Sequence, residues 1–354
     1  MSIITEDDRR YMLRCFDLAQ RGIGQVSPNP PVGAVLVFEG RIIGEGYHQR
    51  FGGPHAEVEA INNVTPEDRH LIPHSILYVS LEPCCMAGKT PPCTDLILHE
   101  GVKDVRFSTV DPNPLISGRS VTLLENAGVT VTYRILEEKG KYLIRAFATN
   151  ILSTRPYVVL KWAQSKYGYV GQINKRILIS HPYTSTWSHR LRAEADAIIV
   201  GARTIKSDNP HLTTRNTPGR SPHRVIYDPN GSLDKSYNAF QASEESVFYF
   251  STEENQSIEG SQITKWILPE ESPHIDFMLE KLFQQKLGII LVEGGSHLLN
   301  MFINADKWDE AWIIQSPHAL NEGVQAPNLR GLKIDNFRIE TDTVIGIRRD
   351  STIK

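Results

Sequence analysis

Cysteine is scarce: four residues in 354, three of them between positions 84 and 93, which does not fit a secreted disulfide framework. Long apolar runs are missing as well, and nothing approaches the roughly 20 residues of a membrane-spanning helix. The opening residues Met1-Ser2-Ile3-Ile4-Thr5-Glu6-Asp7-Asp8 are acidic and lack the apolar core of a signal peptide. Together these absences lead us to expect a cytoplasmic protein with reduced thiols and no membrane association. Charge of one sign is not in excess either. The 38 Lys and Arg nearly balance 41 Asp and Glu, leaving −3, so nothing draws the chain as a whole to nucleic acid or anionic lipid. There is no basic stripe with interleaved aromatics, which disfavours a nucleic-acid base as the natural target. The dinucleotide fingerprint G-x-G-x-x-G is also absent, since Gly22-Ile23-Gly24 is followed by no such pattern.

The chain is too long for one ordinary domain, and two are expected. Helical spacing runs over residues 7–21 and ends at Gly22. Strand-like runs Val32–Phe38 and Arg41–Tyr47 hinge at Glu39-Gly40 as a hairpin. A short helix is expected from His55, a buried strand at Ser75–Leu81, a helix at Thr94–Glu100 and a strand at Val105–Val110. Ser120–Ala127, Val129–Tyr133 and Leu136–Ala148 continue the alternation as helix, strand and helix. This predicts one sheet covered by helices on both faces. The pattern restarts around Asn150–Pro156, so the domains are drawn at 1–149 and 150–354. Strands are then expected at Tyr157–Trp162, Ala197–Val200, Arg224–Tyr227, Val247–Phe250, Ile289–Val292 and Ala311–Ile314. Helices are expected at Pro182–Ala195, Ile275–Gln285 and Ser296–Ile303, with a solvated loop at Thr252–Gln262. Both halves are therefore α/β.

Chemistry concentrates in His55-Ala56-Glu57, Pro83-Cys84 and Pro92-Cys93. One imidazole and two thiolates fill three positions of a zinc tetrahedron and leave the fourth for water, the arrangement of a zinc-dependent deaminase. Glu57 is placed to shuttle protons rather than to bind metal. The spacer from Cys84 to Cys93 is longer than in the usual deaminase signature, but the intervening Cys85-Met86-Ala87-Gly88-Lys89-Thr90-Pro91-Pro92 is built to turn. Cys85 reads as a structural neighbour and Cys15 as core. The turn Pro28-Asn29-Pro30-Pro31 either fixes Asn29 to read base edges or is merely rigid. A third reading makes the zinc structural, with Cys85 or His48 closing the site. In the second half, Ile289–Val292 followed by Glu293-Gly294-Gly295 and a helix presents backbone N–H groups to a pyrophosphate, or simply allows tight packing. Gly201–Asp208 offers a similar strand-to-helix mouth. Arg192 and Arg215 carry planar guanidinium groups suited to a phosphate.

Several segments resemble the bifunctional riboflavin-biosynthesis deaminase/reductase family. In the first half they are Ser27-Pro28-Asn29-Pro30-Pro31-Val32-Gly33, Gly46-Tyr47-His48, Gly53-Pro54-His55-Ala56-Glu57, Leu81-Glu82-Pro83-Cys84, Gly88-Lys89-Thr90-Pro91-Pro92-Cys93 and Asp111-Pro112-Asn113-Pro114. The resemblance implies a cytidine-deaminase-like three-layer α/β/α domain acting on a diaminopyrimidinone that carries a ribosylamino 5′-phosphate. His55, Cys84 and Cys93 would be its zinc ligands and Glu57 its proton shuttle. Asn29, His48 and Lys89 would line the substrate cleft.

From Arg155 onward the matching pieces are Arg155-Pro156-Tyr157, Lys161-Trp162-Ala163, Leu191-Arg192, Asp196-Ala197-Ile198-Ile199-Val200-Gly201, Asp208-Asn209-Pro210 and Val292-Glu293-Gly294-Gly295. They imply a dihydrofolate-reductase-like α/β domain that uses NADPH to reduce the ribose to a ribityl chain. Substrate contacts would come from Arg192, Leu212, Arg215 and Glu293, and cofactor contacts from Ala163, Leu178, Thr204, Asp208, Gly294 and Gly295. The family's enzymes tend to associate through this domain, so a homo-oligomer is implied. Two positions and one stretch depart from the family pattern: Met86 replaces a histidine, Tyr167 an acidic residue, and Arg176–Leu178 an expected cofactor stretch. The departures in the second half motivate an alternative, a monofunctional deaminase whose second domain is a scaffold or binding module.

Overall fold

In a computed structural model, residues 4–87, 91–172, 177–241, 244–271 and 273–350 are described. The chain divides into two compact units, Met1–Thr154 and Arg155–Lys354. The division falls later than the expected 149/150 boundary because a helix runs through Asn150.

The first unit contains α1 (Glu6–Gln20), β1 (Gly33–Phe38), β2 (Arg41–Tyr47), α2 (Ala56–Asn62), β3 (Ile76–Leu81), α3 (Cys93–His99), β4 (Asp104–Thr109), α4 (Arg119–Asn126), β5 (Thr130–Thr132), α5 (Glu137–Leu143) and α6 (Arg145–Ser153). Its sheet has the order β2-β1-β3-β4-β5. The β1 pairings are antiparallel, whereas β3, β4 and β5 run parallel. Alternation along β1 sorts its side chains: Ala34 and Leu36 pack with Ala60 and Ile61 of α2, Ile97 of α3 and Leu124 of α4. Val35 and Val37 meet Tyr11, Met12, Cys15 and Phe16 of α1 on the other face. The expected hairpin forms at Glu39-Gly40, both with positive φ (46° and 80°), which suits the right-handed twist of the paired strands. The expected single helix Leu136–Ala148 is two, α5 and α6, parted at Ile144. α5 lies flush on β4: a Cβ at Gly140 would stand 2.3 Å from Ser108 Oγ.

The second unit contains β6 (Tyr157–Gln164), β7 (Tyr169–Gly171), α7 (Pro182–Glu194), β8 (Ala197–Gly201), α8 (Ala202–Asp208), β9 (His223–Tyr227), β10 (Val247–Ser251), β11 (Ile263–Ile267), α9 (His274–Gln284), β12 (Ile289–Glu293), α10 (Ser296–Asn304), β13 (Glu310–Gln315), β14 (Val324–Gln325), β15 (Leu332–Ile339) and β16 (Asp342–Arg348). Nine strands form one sheet in the order β11-β10-β9-β8-β12-β6-β13-β16-β15, and β7 pairs separately with β14. The stretch from β11 to β13 is parallel, and β16 runs antiparallel to both of its neighbours, β13 and β15. One face buries Val158, Leu160, Ile199, Val225 and Val292 against Met278, Leu282, Leu299 and Phe302 of α9 and α10. On α7, Trp187 meets Trp312 and Phe337 edge-on. Among the described helices none is long and apolar enough to cross a membrane.

Candidate active site

Three loops converge in the first unit. His55 is the N-cap of α2 and Glu57 its second residue, so residues adjacent in sequence share one helix mouth. That helix sits directly on β2, because a Cβ at Gly46 would stand 2.5 Å from Ala60 N. Cys93 opens α3 behind Pro92, whose fixed φ suits the helix start. Cys84 lies three residues beyond β3, and the buried Glu82 carboxylate secures that exit. It accepts from the Asp111 and Gly118 amides (both 3.0 Å) and from Ser120 N and Oγ (3.2 and 2.7 Å). Motif reading gave Glu82 no part in supporting the site: it lies within Leu81-Glu82-Pro83-Cys84, but its partners are remote in sequence.

The donor atoms of His55, Cys84 and Cys93 all lie within 4.8 Å of one another. His55 Nδ1 is 3.2 Å from Cys93 Sγ and 3.4 Å from Cys84 Sγ. The Cys93 amide donates to Cys84 Sγ at 3.3 Å, and Thr94 N donates to Cys84 O at 3.1 Å. Hydrogen bonding from Cys93, reinforced by His55 against the opposing effect of burial, holds the Cys84 thiol far below its ordinary range, as a thiolate. One imidazole, one thiolate and a second sulfur at this spacing fit zinc. Among the described residues no fourth His, Cys, Asp or Glu joins the group. Cys85 lies outside it, and His48 is committed elsewhere, so the described side chains do not close the fourth position.

Glu57 is 3% exposed, and burial, with Cys84 adding to it, pushes its carboxyl up to about 7. The His48 ring stands edge-on to His55, centroids 5.6 Å apart. Its Nδ1 is 2.8 Å from Pro54 O, a pure acceptor, so Nδ1 carries the proton. Its Nε2 therefore accepts from Asn29 Nδ2 at 3.1 Å, and this fixes which way the Asn29 amide faces. Met86 is exposed. Lys89 lies outside the described residues, as does Arg176. Cys15 is core, fully buried with Sγ donating to Tyr78 O.

In the second unit a charged cluster forms at the carboxyl ends of β6 and β12. Lys161 stands opposite Glu293 in the parallel register. Arg192 Nε and Nη2 donate to both Glu293 oxygens (3.1 and 2.7 Å), and its Nη1 donates to Thr213 O at 3.2 Å. Burial opposes the Glu293 charge, but Arg192 and Lys161 overcome it and hold the carboxyl down at about 2. Burial draws the Lys161 ammonium below its usual range, with Glu293 countering. Three nitrogens of Arg192 are thus engaged, whereas Arg215 is exposed and donates from Nη1 to Thr213 Oγ1 at 3.1 Å. Leu212 is buried in the left-handed region, φ 60°. Lys161 received no role in the sequence reading, although a lysine inside an apolar strand was the available signal.

Beside this cluster, Gly294 has φ 147°, and a Cβ there would stand 3.3 Å from Thr204 Oγ1. Thr204 Oγ1 accepts from the Gly295 amide at 3.2 Å, which joins α8 to the start of α10. Gly201 caps α8 with open space where a Cβ would project. This close backbone approach without side chains fits a pyrophosphate. Asp208 ends α8, and its Oδ1 accepts from Ser207 Oγ. Ala163 lies near the end of β6, paired with Ile314. Leu178 is 81% exposed.

These two units define a class: a zinc-binding deaminase joined to a reductase. Residues 5–109 match the cytidine and deoxycytidylate deaminase zinc-binding region, and residues 156–342 match the RibD C-terminal domain. The riboflavin biosynthesis protein RibD of Aquifex aeolicus is 35% identical, over 98% of this chain and 100% of the relative. The Escherichia coli RibD is 32% identical over 88% of each chain. A Thermotoga maritima crystal structure, described as a diaminohydroxyphosphoribosylaminopyrimidine deaminase/5-amino-6-(5-phosphoribosylamino)uracil reductase, superposes with a TM-score of 0.89 at 34% identity, covering 97% of this chain and 98% of that one. The chain belongs to the RibD family of riboflavin-biosynthesis proteins. It is a bifunctional enzyme with a zinc-dependent deaminase domain and an NADPH-dependent reductase domain.

Proposed function

We propose that the two domains carry out consecutive steps on one pyrimidine ribose phosphate. The first domain deaminates 2,5-diamino-6-ribosylamino-4(3H)-pyrimidinone 5′-phosphate. The second reduces the ribose of the resulting 5-amino-6-(5-phosphoribosylamino)uracil to a ribityl chain. The observation that carries the reading is the convergence of His55, Cys84 and Cys93 on one point beside the buried Glu57.

In this reading His55, Cys84 and Cys93 hold the zinc ion, which supplies Lewis-acid activation of water at neutral pH. Glu57 takes a proton from the attacking water and returns protons to the ring nitrogen and the departing ammonia. Burial raises its carboxyl above the ordinary value, and the charge of a bound zinc ion would oppose that shift. Asn29, held by His48, reads the edge of the base, and Lys89 serves the substrate phosphate. In the reductase domain NADPH supplies the hydride. Gly294, Gly295 and Thr204 receive its pyrophosphate, with Ala163, Leu178 and Asp208 along the cofactor path. Glu293, held by Arg192 and faced by Lys161, orients the ribose, Leu212 packs beside it, and Arg215 meets the 5′-phosphate. The reading also places the enzyme in the cytoplasm as a homo-oligomer associated through the reductase domain.

The test follows both products on zinc-replete protein. Ammonia release should not need NADPH, and NADPH oxidation should begin only once the deaminated uracil is present. Formation of the uracil without any subsequent NADPH oxidation would mean that the second domain is a scaffold or binding module.

A further inference from the structure

Arg215 sits on a segment whose backbone is held at three consecutive residues. Thr213 O accepts from Arg192, Thr214 N donates to Ser221 Oγ at 3.1 Å, and Arg215 N donates to His189 Nδ1 at 3.0 Å. The segment needs holding, because Asn209 and Leu212 both lie in the left-handed region (φ 40° and 60°) and a bulky residue rarely stays there unsupported. Two of these restraints come from α7, where His189 and Arg192 are three residues apart and so share a face. His189 is 3% exposed. An amide N–H can bond only to an unprotonated ring nitrogen, so the proton of the neutral imidazole is on Nε2. The charged groups facing the ring are Arg192 on α7, Arg215 on the loop, Lys161 on β6 and Glu293 on β12. Burial first, and then the Arg192 and Arg215 cations, keep the ring neutral, with its pKa down at about 4.

We propose that His189 is a positioning residue of the reductase: by accepting the Arg215 amide, it aims the Arg215 guanidinium at the ribose 5′-phosphate. The inference rests on the assignment of Arg215 to that phosphate, and the experiment separates the two. On the full-length zinc-replete enzyme, NADPH oxidation is measured with the phosphorylated uracil and with its dephosphorylated counterpart, for wild type, His189→Phe, His189→Asn and Arg215→Met. Loss of one positioning hydrogen bond should raise the KM of His189→Phe for the phosphorylated substrate about threefold to tenfold. Its kcat should stay within about twofold, and its KM for the dephosphorylated substrate should not move. His189→Asn, which keeps an acceptor near the position of Nδ1, should recover most of the loss. If His189→Phe does not fold, His189→Ala with and without added imidazole gives the same comparison, recovery of KM by imidazole being expected. Equal losses with both substrates, or no loss while Arg215→Met raises KM for the phosphorylated one, would overturn the role of His189 alone. An unchanged KM in Arg215→Met would overturn the phosphate assignment and the inference together.

Discussion

Replacing Glu57 by Gln should abolish deamination while leaving the metal in place. The carboxyl is buried at the second position of α2, two residues after His55, and is not among the three side chains whose donor atoms cluster. Gln has the same shape and relieves the burial penalty that pushes the carboxyl to about 7, so the fold should not weaken. What disappears is a group that both accepts and donates a proton near neutral pH. A divalent cation beside it favours the carboxylate, which matches the acceptor role at the start of the cycle. General acid–base catalysis by one positioned side chain contributes about 10²- to 10⁴-fold. At about 1.4 kcal/mol per tenfold, this is roughly 3–5 kcal/mol of barrier. The assay couples ammonia release to an indicator enzyme and measures zinc per chain by atomic emission on the same sample. NADPH oxidation on the deaminated uracil should be unchanged. A variant retaining more than about a tenth of the activity, or losing zinc in step with activity, would refute Glu57 as the shuttle.

Cys85→Ser should leave zinc content and deamination intact, since Cys85 lies outside the donor cluster; loss of zinc from the purified variant would restore the reading of a closed structural site. Arg192→Met strips the buried Glu293 carboxylate of its bidentate partner and leaves it facing Lys161. Breaking such a pair costs about 3–5 kcal/mol, so the urea midpoint of the reductase transition should fall; an unchanged midpoint would show that the pair carries no net stability. Acid should destabilise the reductase domain in two stages. The folded pKa of His189, about 4, lies below its ordinary value of 6.5, so its contribution is present above 6.5 and is lost as pH falls toward 4. Glu293, depressed from 4.5 to about 2, contributes above 4.5 and loses that contribution below it. Thermal melts of His189→Asn and Glu293→Gln should flatten the upper and lower stages respectively; coincident profiles for variants and wild type would refute the assignments.

Most regular elements were legible because their side chains alternate or recur with the period of the element. The first-unit strands and helices appear within one or two residues of expectation, apart from the division of Leu136–Ala148. The elements that went unread lack such a signal. β15 presents mostly exposed residues at the sheet edge and forms no apolar run. Its hairpin with β16 turns at Glu340, φ 52°, without the Gly or Asn that marks such turns. β11 is likewise an edge strand with a lysine and a threonine among its five residues. The left-handed Leu212 gave no warning either, since nothing in a leucine announces positive φ.

The two sites differ in legibility for a reason that lies in how each is assembled. In the first unit His55, Glu57, Cys84 and Cys93 sit within a few residues of a strand exit or a helix start. Chain reversal at those points demands Pro or Gly, so the punctuation Gly53-Pro54-His55, Pro83-Cys84 and Pro92-Cys93 displays the site in the linear chain. In the second unit the charged cluster and the glycine turns also lie at the carboxyl ends of parallel strands, where open α/β sheets bind their ligands. There Gly201 and Gly294 mark strand-to-helix turns in the same way. The charges of the Lys161, Arg192 and Glu293 cluster are not punctuated. Lys161 and Glu293 meet only because β6 and β12 are sheet neighbours, and His189 reaches Arg215 only because α7 lies against the loop. Such pairings depend on strand order and helix docking, which no local spacing encodes. This is why motif reading singled out the glycines of the strand-to-helix turns but left Lys161 and His189 without roles.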